Sequence, residues 1–141
     1  RTRVASFNMH EGDINAFMQQ PWVVTSSDGT NGHPRKYASF PQKYQEYVLK
    51  SNKLDLQRFI YSSTGQTAGI LGLADRGLIK TGLQADIVIF DPSKYHAEAN
   101  FKTWDRLSKG VSHLLVNGQP VIVNGNYSGA LVGQFVPRSE K

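Results

Sequence analysis

The chain contains no cysteine, which excludes a disulfide framework, a thiolate nucleophile and cysteine metal ligands, although it assigns no compartment. No apolar run approaches the roughly 18 to 20 residues that a bilayer-spanning helix needs, and no signal-peptide apolar stretch follows Arg1-Thr2-Arg3-Val4, so no membrane partner is expected. Internal repeats and low-complexity tracts are missing too. Charged residues make up only 19% of the chain and apolar ones 39%, a balance that lets a globular core form without metal or disulfide staples. The 141 residues suit one ordinary domain. They fall well short of the about 250 residues of a complete (β/α)8 barrel, so a barrel signature here would belong to part of a longer polypeptide, and the missing initial Met agrees with that.

What charge there is leans basic, at +5 net. Most of the excess lies in one stretch, where Arg35, Lys36, Lys43, Lys50, Lys53 and Arg58 face only Glu46 and Asp55. Interleaved tyrosines give this stretch some likeness to a nucleic-acid surface. However, Tyr44, Tyr47 and Val48 recur at i, i+3, i+4 while Lys43, Gln45, Glu46 and Lys50 point elsewhere, which is the pattern of a helix packed on a core. No nucleic-acid partner is expected.

The chain begins in helical texture. Asn8 and Glu11 have capping-box spacing and Ile14, Phe17 and Met18 share a face, predicting a helix over 8–20 that Pro21 stops. Trp22-Val23-Val24-Thr25 then reads as a buried strand running into the polar loop Ser26-Ser27-Asp28-Gly29. Ser39, Pro41 and Gln42 predict the start of a second helix, as N-cap, first-turn proline and box partner. Asp55 caps a third, with Leu56, Phe59 and Ile60 inward, and a shorter helix runs from about Gly65 to Leu73. Past Asp75 the pattern turns to glycines and alternating apolar positions. Ala85–Phe90 reads as a strand stopped by Asp91-Pro92, and 111–116 with 119–123 flank Asn117-Gly118, a strong hairpin signal. The change of texture falls between Leu73 and Gly77.

Two places carry candidate chemistry. Asp28 sits where a strand meets its loop, the end at which α/β folds build sites, although Asp-Gly is also a common turn dipeptide. His33-Pro34-Arg35 offers a base or ligand, a fixed φ and a guanidinium able to grip a carboxylate with two parallel hydrogen bonds. His10, His96 and His113 stand apart, without H-x-H or H-E-x-x-H spacing, so no metal site closes within the chain. Ser62-Ser63-Thr64 lacks a nucleophile-elbow context.

Together these motifs resemble the N-acyl-D-amino-acid deacylases (D-aminoacylases) of the amidohydrolase superfamily. The likeness is carried by Trp22-Val23-Val24-Thr25-Ser26-Ser27-Asp28-Gly29, Gly32-His33-Pro34-Arg35-Lys36-Tyr37 and Phe40-Pro41. It continues through Asp75-Arg76-Gly77, Ala85-Asp86-Ile87-Val88-Ile89-Phe90-Asp91-Pro92, Leu115-Val116-Asn117-Gly118 and Gly129-Ala130-Leu131. The later half alone resembles the superfamily broadly, and the Ser27-Asp28-Gly29 and His33-Pro34-Arg35 pair narrows it.

The resemblance implies an α/β fold in which residues 1–74 are the last strand and helices of a metal-dependent (β/α)8 barrel and residues 75–141 are part of a small β-sandwich domain. It implies a zinc enzyme that hydrolyses N-acyl-D-amino acids, with the principal zinc ligands upstream of Arg1, so that the remainder of the same polypeptide is a partner and the piece alone is inactive. Asp28 maps onto the general acid/base, Arg35 onto the clamp for the substrate's α-carboxylate, and His33 flanks it as a substrate-binding residue. Zinc brings the pKa of bound water toward about 7, and one aspartate can take its proton and deliver it to the departing nitrogen. The stretch between Asp28 and His33 is short relative to many members, which bears on the acyl or side-chain pocket. The alternatives are a dihydroorotase- or hydantoinase-like amidohydrolase, which has no need of Arg35, and a non-catalytic structural or interaction module.

Overall fold

The computed structural model describes residues 8–139. Helices come first: α1 (Glu11–Met18), α2 (Arg35–Lys43), a π-helical turn (Tyr44–Lys50), α3 (Leu56–Ser63) and α4 (Gly65–Leu71). Strands β1 (Ile87–Phe90), β2 (Val111–Val116), β3 (Gln119–Val123) and β4 (Asn126–Tyr127) follow. They form one antiparallel sheet in the order β1-β2-β3-β4.

Several elements follow from local chemistry as expected. The Asp55 carboxylate accepts from the Arg58 N–H at 2.6 Å and starts α3, although of the three side chains expected inward Phe59 is buried while Leu56 and Ile60 are exposed. Gly72, at φ +71, ends α4 in the left-handed conformation. Asn117 and Gly118 both take positive φ and join β2 to β3, with Val116 opposite Gln119. Asn124-Gly125 repeats the device and adds β4, a turn unanticipated above although it carries the same dipeptide.

Four expectations are corrected. Helix α1 starts at Glu11, because the His10 ring, not Asn8, accepts from the Gly12 N–H. Strand β1 starts at Ile87, since the Asp86 N–H donates to the Gln84 carbonyl at 3.0 Å rather than to a neighbouring strand. Residues 22–25 form no strand: no neighbouring strand among the described residues offers a ladder, and helix side chains hold the segment instead. Gln66 Nε2 donates to the Pro21 and Val23 carbonyls, and Lys43 Nζ to Thr25 Oγ1 at 2.6 Å. Trp22 is left 67% exposed. Finally, α2 starts at Arg35 rather than Ser39, whose hydroxyl donates back to the Arg35 carbonyl. Pro41 therefore lies inside the helix and cannot donate to the Tyr37 carbonyl. The Ser108 hydroxyl does so at 2.7 Å, and the turn after Lys43 widens to π geometry.

An aromatic cluster joins helices to sheet. Tyr44, Leu54 and Phe59 are buried, with Tyr47, Val48 and Tyr95 against them, so the i, i+3, i+4 face at 44–48 does pack inward. Phe90 stands edge-on to Tyr44, and the Tyr44 hydroxyl donates to the Pro92 carbonyl at 3.1 Å. At the helix-to-sheet junction, Asp86 accepts from both the Arg76 guanidinium and the Asn117 N–H. One carboxylate thus ties Asp75-Arg76-Gly77 to the hairpin turn. Gly77 has φ +90, and a Cβ there would stand 2.6 Å from that of Ala68. No helix of the described residues is long and apolar enough to cross a membrane.

Candidate functional site

The structure brings Asp28 and Arg35 together. The loop from Gly29 to Pro34 turns back on itself, with Gly32 at φ +83, and returns the chain to where it left the extended segment. Asp28 Oδ2 then lies 2.9 Å from Arg35 Nη2, their side chains 75% and 39% exposed. Asp28 has φ +42, a left-handed conformation that Asp adopts more readily than most residues. The Arg35 Nε is buried without a hydrogen-bond partner, so the guanidinium keeps an unused donor beside those facing Asp28.

His33 joins them through the backbone. Pro34 at the N-cap offers no side-chain acceptor, and the His33 Nδ1 accepts from the Arg35 N–H at 3.1 Å in its place. With Nδ1 accepting, the neutral ring carries its proton on Nε2, which remains its other polar atom. Phe101 meets the His33 ring edge-on at 5.1 Å between centroids. Phe101, Trp104 and Ser108, absent from the sequence-based candidates, therefore border the site. Ser108 has a signal in Pro41, which announces an unserved Tyr37 carbonyl without saying what serves it, whereas Phe101 and Trp104 have none.

The other histidines lie elsewhere. His10 caps α1, His96 pairs with Glu98 at 2.8 Å, and His113 belongs to β2. The Lys94 carbonyl and the Glu98 carboxylate, in that order, raise the His96 pKa, and the His96 contact lowers that of Glu98. A separate cleft of 600 Å³ lies between α1, the 23–26 segment and α2, and none of Asp28, His33 and Arg35 lines it. Its Lys43 ammonium has its pKa lowered by burial and then by Arg58. Among the described residues no three His, Cys, Asp or Glu side chains converge on a position that could hold a metal ion. The donor set present therefore does not fit a zinc centre by itself.

Helices feeding an antiparallel meander, with a paired Asp and Arg at the loop where an extended segment ends, make this a protein of mixed α and β structure with a polar site at a loop. The profile of the amidohydrolase family matches residues 5–122, and the chain belongs to that family. It is 33% identical over 128 residues to an N-acyl-D-aspartate deacylase of Alcaligenes xylosoxydans xylosoxydans, covering 88% of this chain and 26% of that protein. A solved D-aminoacylase with a binuclear metal centre superposes with a TM-score of 0.85 at 29% identity, covering 92% of this chain and 28% of that one. A Bordetella bronchiseptica N-acyl-D-glutamate deacylase, solved with zinc and a phosphonate mimic of the tetrahedral intermediate, gives 0.75 at 31% identity, over 80% of this chain and 25% of that one. The chain spans about a quarter of the length of these relatives.

Proposed function

We propose that the full-length protein is a zinc-dependent hydrolase that cleaves N-acyl-D-amino acids into a carboxylate and a D-amino acid. The observation that carries the reading is the Asp28–Arg35 contact at 2.9 Å, in a chain similar to three deacylases of this kind. In this reading residues 1–74 are the C-terminal portion of a (β/α)8 barrel, in which 22–25 would find the neighbouring strands it lacks among the described residues, and residues 75–141 belong to a small β-sandwich domain. Large exposed apolar side chains, including Trp22, Phe17 and Ile79, support burial against the N-terminal remainder of the polypeptide. The principal zinc ligands lie upstream of this chain in this reading, because the described residues offer no complete ligand set by themselves.

This chain contributes recognition and proton transfer. Arg35 grips the substrate's α-carboxylate with two charge-assisted hydrogen bonds, replacing Asp28 as its partner. In an N-acyl-amino acid the amide nitrogen is attached to the carbon that bears the carboxylate. Holding the carboxylate on Arg35 therefore places that nitrogen beside the released Asp28. Asp28 accepts the proton of the attacking water and passes it to the nitrogen as the C–N bond breaks. His33 holds the α2 N-terminus by Nδ1 and presents Nε2 to the substrate. Fixing the carboxylate and the amide leaves two places for the side chain and the hydrogen of the α-carbon, and a site that admits the side chain in one of them alone selects one enantiomer.

The test is turnover by the zinc-loaded full-length protein on paired N-acetyl-D- and N-acetyl-L-amino acids. Hydrolysis confined to the D series supports the reading. Turnover of cyclic amides with none of N-acyl-D-amino acids would place the protein with the dihydroorotase- or hydantoinase-like members instead.

A further inference from the structure

We propose that the loop 97–108, supplied by the β-rich part of the chain, positions the His33-Pro34-Arg35 clamp, with Phe101 and Ser108 as its positioning residues. The proposal rests on the reading of Arg35 as the carboxylate clamp.

The loop is a built object. At its base His96 and Lys109 exchange backbone hydrogen bonds of 3.2 and 3.0 Å. Inside it, the Asn100 side chain accepts from the Lys102 and Thr103 N–H groups, and the Asn100 N–H donates to the Thr103 carbonyl. That turn fixes the backbone on either side of Phe101. The Ala97 N–H donates to Gln45 Oε1 at 3.0 Å, which anchors the loop to the π-helical turn.

From this frame two contacts reach the clamp. Phe101 meets the edge of His33, whose Nδ1 holds the Arg35 N–H, so the aromatic contact sets the ring that caps the first residue of α2. Ser108 donates to the Tyr37 carbonyl, the acceptor that Pro41 leaves unserved two residues beyond Arg35, and Trp104 lies against the Tyr37 ring at 6.2 Å. Without these contacts the His33 ring that caps α2 loses its aromatic neighbour and the Tyr37 carbonyl loses its donor. The guanidinium swings on that turn, and a misplacement of about 1 Å can cost 10²-fold in catalysis.

The experiment compares Phe101→Ala, Phe101→Tyr and Ser108→Ala in the zinc-loaded full-length protein, on an N-acetyl-D-amino acid and on the analogue whose carboxylate is a neutral amide. Phe101→Ala should raise KM for the acid about tenfold with kcat held within about twofold, while the neutral analogue is unaffected. Tyr should restore the aromatic edge and the KM. Ser108→Ala, which removes one oxygen and no packing, should shift KM the same way by a smaller factor. In the Arg35→Met background Phe101→Ala should add nothing, because the two act through one interaction. Equal losses on both substrates, or a full additional loss on top of Arg35→Met, would overturn the proposal. If Arg35→Met itself fails to distinguish the two substrates, the clamp reading falls and this proposal with it. That result differs from one in which Arg35→Met discriminates and the loop variants do not.

Discussion

Replacing Arg35 by Met keeps an unbranched stem about as long as the arginine's as far as Nε and removes its charge and its five donors. Two charge-assisted hydrogen bonds to a substrate carboxylate are worth about 1.5 to 3 kcal/mol each. Binding first breaks the Asp28 contact, which joins two exposed groups and is worth about 0 to 1 kcal/mol. The balance lies between about 2 and 6 kcal/mol. Because the Arg35 side chain is 39% exposed, water competes for it and the lower part of that range applies. At about 1.4 kcal/mol per factor of ten, kcat/KM for an N-acyl-D-amino acid should fall about a hundredfold. Arg35→Lys should recover only part of this, since an ammonium cannot match the planar fork. The assay is steady-state hydrolysis by the full-length protein at matched zinc content. A loss below threefold for Arg35→Met, or full recovery with Lys, would refute the clamp.

Asp28→Asn should lower kcat by about 10² to 10⁴ with metal content and melting temperature unchanged, because Asn also tolerates positive φ; retention of kcat within threefold would reduce Asp28 to a turn residue. Gly77→Ala places a Cβ 2.6 Å from that of Ala68 at φ +90, so it should cost roughly 1 to 3 kcal/mol, read as a lower denaturation midpoint. His96 has a raised pKa, so its pairing with Glu98 stabilises the fold fully below about 6.5 and loses that effect as pH rises through the folded value. Glu98, lowered, contributes above its ordinary 4.5 and loses its contribution as pH falls through the folded value. The melting temperature gap between the protein and His96→Gln should therefore be wider at pH 5.5 than at pH 8.

Elements built from neighbouring residues were legible in the sequence: Asp55 needs only the next turn of chain to cap α3, and Asn117-Gly118 carries its own positive φ values. Elements that need a distant partner were not. Trp22–Thr25 has the apolar and β-branched content of a strand, but a strand is a pairing, and helix side chains hold this segment instead. The sequence points to Ser39 as the start of α2 because Ser39-x-x-Gln42 spacing and an early proline mimic an N-terminus. The competing start at Arg35 depends on a His33 ring serving as cap and on Ser108 serving a carbonyl 71 residues away. Asp28 and Arg35 were each readable as chemistry-bearing types at a loop. Their meeting at 2.9 Å follows from the turn between them, which spacing alone does not dictate.

The proposed mechanism depends on one exchange: the substrate carboxylate takes Arg35 from Asp28 and thereby releases the base beside the amide. A crystal structure of the zinc-loaded full-length protein with a non-hydrolysable N-acyl-D-amino-acid analogue tests it directly. The carboxylate should sit on the Arg35 guanidinium in two hydrogen bonds, with the Asp28 carboxylate turned away from Arg35 toward the nitrogen side of the amide. A bound analogue whose carboxylate lies elsewhere, with Asp28 still paired to Arg35, would contradict the account.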